Sequence, residues 1–181
     1  TACFDFGGAD VSSFTERHFW TALGAPHHVI TGDAPGAQPC AVAGTIWGGN
    51  LAMVTHLLGT PYFPQSEDGI LFLEDTGEHP YRIERMLLQL HYAGVLDAQS
   101  AILIGDISGY TLQDNDCGYD LDGALDAIRA RTRTPILTGL KFGHTRDKVS
   151  LPIGGMGRLD CDGQRWTLGV THPGGPWQRL Q

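Results

Sequence analysis

The chain has 181 residues, enough for one domain with a substantial core. Its 12 Lys and Arg against 20 Asp and Glu give a formal charge of −8, which argues against non-specific binding to nucleic acid or anionic lipid, because both need clustered positive charge. The 25 glycines and 10 prolines make the chain loop-rich without reaching low complexity, and 41% hydrophobic residues argue against disorder.

In chain order, Ser13-Phe14-Thr15-Glu16 predicts a capping box. A helix follows with Phe19, Trp20 and Leu23 on one face and Gly24 at its end. Residues 25–39 read as a Gly/Pro-rich linker. A strand is expected over 41–47, then a turn at Gly48-Gly49-Asn50, with Asn50 capping a helix that carries Leu51, Val54 and Leu58. Residues 70–73 read as a buried strand ending at Glu74-Asp75. The clearest helix spans 80–93, where Ile83, Met86, Leu87 and Leu90 recur at helical spacing between Pro80 and Gly94. Strands are expected at 101–104, 135–140 and 149–153, a helix at 121–131, and a short strand pair with a tail from Gly163. Strands alternate with helices, so the fold class is α/β.

Cys3, Cys40, Cys117 and Cys161 form no CxxC pair, so neither a zinc ribbon nor a thioredoxin-like motif is present. Scattered thiols in a chain of this length fit a reducing compartment at least as well as two disulfides. No basic region followed by an apolar run opens the sequence, so no signal peptide is expected. Residues 34–66 lack Asp, Glu, Lys and Arg, but the stretch holds four prolines and no apolar run of about 18 residues, so no membrane span is expected. Asp114, Asp116, Asp120 and Asp122 miss the calcium-loop pattern, because Gly118 falls one place early and Leu125 occupies the twelfth position. His27 and His28 are adjacent rather than one helical turn apart, and no HExxH occurs, so a metal site has little support.

Three strand ends hold the chemistry. The first is Trp47-Gly48-Gly49-Asn50, the second Glu74-Asp75, and the third Phe142-Gly143-His144. Sites in open α/β sheets gather at such ends. A carboxylate and an imidazole there are what a base and its orienter require. On spacing alone, Glu74 and His144 also fit surface or capping roles. The Gly48-Gly49-Asn50 segment reads as a receptor for a carboxylate or phosphate, or as a tight turn with an Asn cap. No G-x-S-x-G elbow occurs, which leaves Ser108 and the N-terminal Thr1 as the nucleophiles to weigh against a turn serine and an ordinary terminus.

Several blocks together resemble the LD-carboxypeptidases, a family of serine peptidases. They are Thr45-Ile46-Trp47-Gly48-Gly49-Asn50-Leu51, Leu73-Glu74-Asp75, and the helix from Glu78 to Leu87. Pro135 to Leu140 running into Phe142-Gly143-His144, and Leu151-Pro152-Ile153-Gly154, match as well. The resemblance covers about 44–160, in order and spacing. It implies the family's compact C-terminal domain, of a swivelling β/β/α type, over 43–181. Residues 1–42 would supply the connector helix and linker. It also implies a Ser–His–Glu triad with the glutamate at Glu74 and the histidine at His144. The serine and the oxyanion donors would lie in an N-terminal α/β domain absent from this sequence. The implied reaction is hydrolysis of an L,D-peptide bond, which releases the terminal D-alanine of murein tetrapeptide in peptidoglycan recycling. A branch of the family cleaves microcin-type peptidyl-nucleotides instead. A homodimer, a cytoplasmic location and no metal or other cofactor are expected with it. Gly48, Gly49 and Asn50 are expected to border the substrate pocket. From a different class, the chain reads as a muropeptide-binding or dimerisation module without turnover.

Overall fold

The computed structural model describes residues 5–8 and 10–172. Thr1 and Cys3 lie outside the described residues. In chain order the elements are α1 (Ser13–Gly24), β1 (His27–Asp33), β2 (Cys40–Asn50), α2 (Leu51–His56), β3 (Ile70–Thr76), α3 (Pro80–Tyr92), β4 (Ala101–Ser108), α4 (Leu121–Arg129), β5 (Ile136–Leu137), β6 (Met156–Cys161) and β7 (Arg165–Thr171). The strands form one mixed sheet in the order β1-β7-β6-β2-β3-β4-β5. Strands β2 to β5 run parallel, and β1, β7, β6 and β2 pair antiparallel. β2 joins the two halves. Its first six residues pair with β6, and residues 46–50 pair with β3.

Strand β3 shows why the parallel half forms. A parallel sheet is covered on both faces, so its strands read as continuous apolar runs. Alternate β3 residues serve different clusters. Leu71 and Leu73 pack with Ile83, Leu87 and Leu90 of α3 and with Leu125 and Ile128 of α4. Ile70 and Phe72 pack with Ile30, Leu159, Trp166 and Leu168 from the antiparallel half. Each such buried side chain contributes about 1.5–3 kcal/mol. Trp166 also donates its indole N–H to the Thr138 carbonyl, 2.7 Å away, which fastens β7 to the segment after β5.

Five expectations need correction. The segment expected as a Gly/Pro-rich linker contains β1, which pairs with β7 over seven residues. Its polar alternation hides a strand buried on one face only, with His28 and Ile30 inward. Gly48-Gly49-Asn50 is not a turn. These residues continue β2 in register with Phe72, Leu73 and Glu74, and α2 starts directly after them. Residues 149–153 form no strand, and only 136–137 of the expected 135–140 strand pair with β4. The closing strand pair is β6 with β7, joined at residues 162–164, so it begins upstream of Gly163. Among the described residues no helix is long and apolar enough to cross a membrane.

Helix α1 is held by the loop after His144. Ser12 caps it and donates to Asp147 at 2.6 Å. Thr15 donates to the Arg146 carbonyl at 2.8 Å and accepts from the Lys148 amide at 3.0 Å. The Lys148 ammonium reaches Asp5 at 2.8 Å, with both side chains buried.

Histidines near this junction set a pH limit. Burial, followed by Arg17 and Lys141, pushes the His18 imidazole below its ordinary pKa. Burial, followed by His18, does the same to His28 despite a backbone hydrogen bond at Ser150. The fold therefore holds both neutral, whereas the unfolded chain binds their protons near the ordinary value of about 6.5. Their contribution to stability is complete above that value and is lost as pH falls below it. Urea denaturation is expected to give a lower midpoint at pH 5.5 than at pH 7.5. The double variant H18Q/H28Q should lose most of that difference, and an unchanged difference would contradict the assignment.

Candidate active site

Parallel strands β2, β3 and β4 end on one edge of the sheet, and the site forms there. Glu74 and Asp75 lie inside β3 near its end, both buried at 6% and 4% exposure. Beside them β4 carries an irregularity. Leu73 pairs with Ile104, whereas Asp75 pairs with Ile107, so β4 has one extra residue opposite Glu74. Bulges of this kind re-aim side chains next to sites. The Asp106 amide then donates to the Phe142 carbonyl at 2.7 Å, drawing the 142–144 segment over the strand ends. The Phe142 ring meets Phe72 edge-on, with centroids 4.8 Å apart, and anchors the same segment.

This places His144 Nδ1 3.3 Å from Glu74 Oε2. A carboxylate only accepts, so the contact selects the tautomer with its proton on Nδ1 and leaves a lone pair on Nε2. The two side chains differ in solvation: His144 is 55% exposed and Glu74 only 7%. A buried carboxylate behind a half-exposed imidazole can orient the ring and stabilise the imidazolium that forms when it takes a proton.

Asn50 completes the carboxylate environment. Its Nδ2 donates to Glu74 Oε1 at 3.3 Å and to Asp75 Oδ1 at 3.2 Å. Its Oδ1 accepts from the Met53 amide at 3.0 Å and so caps α2. Asp75 also accepts from the backbone amides of Ala52 and Thr76, at 2.9 and 2.8 Å. Gly48 lies so close to the Phe72 carbonyl that a Cβ would stand 1.9 Å from its oxygen, so β2 approaches β3 here only as glycine. Gly49 has open space instead. Both glycines border an apolar hollow of about 440 Å³ with Phe72, Phe142 and Pro152.

Strand-end reasoning pointed to Glu74, His144 and Asn50, and the structure brings all three together. It named Asp75 and Gly143 only as members of the same strand-end segments, with no role of their own, and did not find Asp106. Asp75 stood beside Glu74 in the sequence, but nothing there showed that it faces Asn50. The Ser108 hydroxyl donates to Asp106 at 2.6 Å. The acidic run forms a 3-10 turn at Asp114–Asp116 and the Asp120 cap of α4. Among the described residues, no group of three metal-ligating side chains converges.

The fold is that of a carboxypeptidase domain: residues 43–159 match the family model described as the LD-carboxypeptidase C-terminal domain. The chain belongs to the LD-carboxypeptidase family. A solved muramoyltetrapeptide carboxypeptidase from Oxalobacter formigenes superposes with a TM-score of 0.90 at 44% identity, over 93% of this chain and 58% of that one. A probable murein peptide carboxypeptidase of Bacillus subtilis (strain 168) is 34% identical over 116 residues, which is 64% of this chain and 36% of that protein. The microcin C7 self-immunity protein MccF superposes more loosely, with a TM-score of 0.63 at 25% identity, over 83% of this chain and 42% of that one. The chain thus spans about half the length, or less, of these relatives.

Proposed function

We propose that this chain supplies the general base and its orienting carboxylate to a serine-type LD-carboxypeptidase that releases the terminal D-alanine of murein tetrapeptide. The observation that carries the reading is the contact between His144 Nδ1 and Glu74 Oε2, with the carboxylate buried and the ring open to solvent. In the proposed mechanism, His144 Nε2 takes the proton of a serine hydroxyl contributed by an N-terminal domain, and that oxygen attacks the L,D-peptide carbonyl. Glu74 holds the tautomer and stabilises the imidazolium. The imidazolium then returns its proton to the D-alanine amine as the C–N bond breaks, and water attacking the acyl-enzyme regenerates the serine. Gly48, Gly49 and Asn50 border the substrate cleft. A Cβ added at Gly49 would meet nothing within 4 Å, so the strand end has room beside it.

Murein tetrapeptide is preferred over a peptidyl-nucleotide because the muramoyltetrapeptide carboxypeptidase is the nearer likeness, at 44% identity against 25% for MccF. A homodimer, a cytoplasmic location and a place in peptidoglycan recycling complete the proposal. The test uses the 181-residue chain, murein tetrapeptide and mass spectrometry of free D-alanine. No release is expected from the chain alone, release is expected once the N-terminal domain is added, and none with His144→Ala. Release from the chain alone would place the nucleophile within these residues. Binding without hydrolysis, even with the added domain, would favour a muropeptide-binding module.

A further inference from the structure

At the far end of β2, away from Glu74, two thiols face each other. Cys40 is the first residue of β2 and Cys161 the last of β6, and the two are direct partners in the antiparallel register. Both side chains belong to one apolar cluster, so they project from the same face of the sheet. Both are free thiols. Directly opposed residues of an antiparallel pair have Cα atoms about 4.5–5.5 Å apart. That lies within the roughly 4.4–6.8 Å range that a disulfide spans. Cys161 is buried on the core face and Cys40, at the start of β2, is only half-buried. A small oxidant therefore reaches the pair through Cys40.

We propose that Cys40 and Cys161 are a dithiol site that closes to a reversible cross-strand disulfide under peroxide. The Cys40 sulfur attacks one peroxide oxygen, the O–O bond breaks, and water leaves behind a sulfenic acid. The Cys161 sulfur then attacks the sulfenic sulfur, the S–O bond breaks, and a second water departs as the S–S bond forms. Two thiols and one peroxide thus give one disulfide and two waters. Burial, the neighbouring Cys161 and Asp160 hold the Cys40 thiol above its ordinary range. The thiolate is therefore scarce at neutral pH, and the pair answers sustained rather than brief exposure.

The closed loop would run from residue 40 to residue 161 and enclose both Glu74 and His144. Along β2, at about 3.3 Å per residue, the bridge lies on the order of 30 Å from Asn50, so it constrains the fold without touching the catalytic pair. This inference does not depend on the proposed hydrolase mechanism.

The experiment takes the reduced chain, freed of reductant, through hydrogen peroxide and then peptide mapping by mass spectrometry. The expected product is a monomer in which the Cys40 and Cys161 peptides are linked and dithiothreitol restores both thiols. Its thermal midpoint should rise by roughly 4–16 °C. Cys40→Ser and Cys161→Ser should each abolish the link and the rise. Over-oxidation of either thiol to sulfinic acid, a link through Cys3 or Cys117, or a disulfide-bonded dimer would overturn the proposal. An undiminished thermal response in Cys40→Ser would also overturn it.

Discussion

Under the proposed mechanism, with an N-terminal nucleophile domain added, His144→Ala and Glu74→Ala are each expected to lower kcat by about 10⁴-fold. The expectation follows from the geometry of the pair. His144 contacts the buried Glu74, so in the proposed mechanism its removal leaves the serine hydroxyl without a base. Removing Glu74 leaves His144 in place but frees its tautomer and withdraws the charge that stabilises the imidazolium. The consequences for folding should be small for different reasons. The His144 ring is 55% exposed, so little packing is lost with it. Glu74 is buried, but Asn50 keeps Asp75 as an acceptor when the glutamate is gone. Steady-state release of D-alanine, measured beside urea denaturation of the same variants, separates the two effects. Either variant retaining activity within tenfold of the parent would remove that residue from the mechanism. Because members of one catalytic unit act together, the double variant should lose little more than either single one.

How much of this arrangement the sequence disclosed depends on the range of the interactions. Helix α3 was legible because its apolar positions recur at helical spacing between Pro80 and Gly94. Glu74 was legible as the polar end of an apolar run, whereas His144 was reached through a strand expected over 135–140 of which only 136–137 pair, so it stands in the loop beyond β5. β1 was not legible. Its inward residues include His28, and its burial depends on β7, about 140 positions away in the sequence. The strand character of Gly48-Gly49-Asn50 was hidden for a related reason. Two glycines and an asparagine favour turns locally, whereas here close approach to Phe72 and pairing with β3 override that preference. The part of the site supplied by Asp75, Asp106 and Gly143 required knowledge of register. A one-residue excess in β4 opposite Glu74 leaves no mark in the amino-acid pattern.

That register makes Gly143 a sensitive point of the site. Its φ is +129°, a conformation that side-chain-bearing residues rarely adopt. A Cβ there would stand 2.9 Å from Asp106 Cβ and 3.1 Å from Glu74 Oε2. Gly143→Ala therefore strains the backbone and presses on the carboxylate oxygen that contacts His144. The backbone strain costs about 1–3 kcal/mol of stability. The larger effect is on geometry. A displacement of about 1 Å within a catalytic constellation lowers the rate on the order of 10²-fold, so kcat should fall by at least that much while the protein remains folded. Leu87→Ala is the comparison. It removes a fully buried side chain from the cluster beneath α3, away from the site, and should cost about 2–5 kcal/mol. At a temperature where both variants are folded, Leu87→Ala should keep the parental kcat and Gly143→Ala should not. If Gly143→Ala turned over at the parental rate, the close approach of residue 143 to Glu74 would have no part in holding the pair, and the positioning of His144 would rest on Phe142 and the loop clasped by α1.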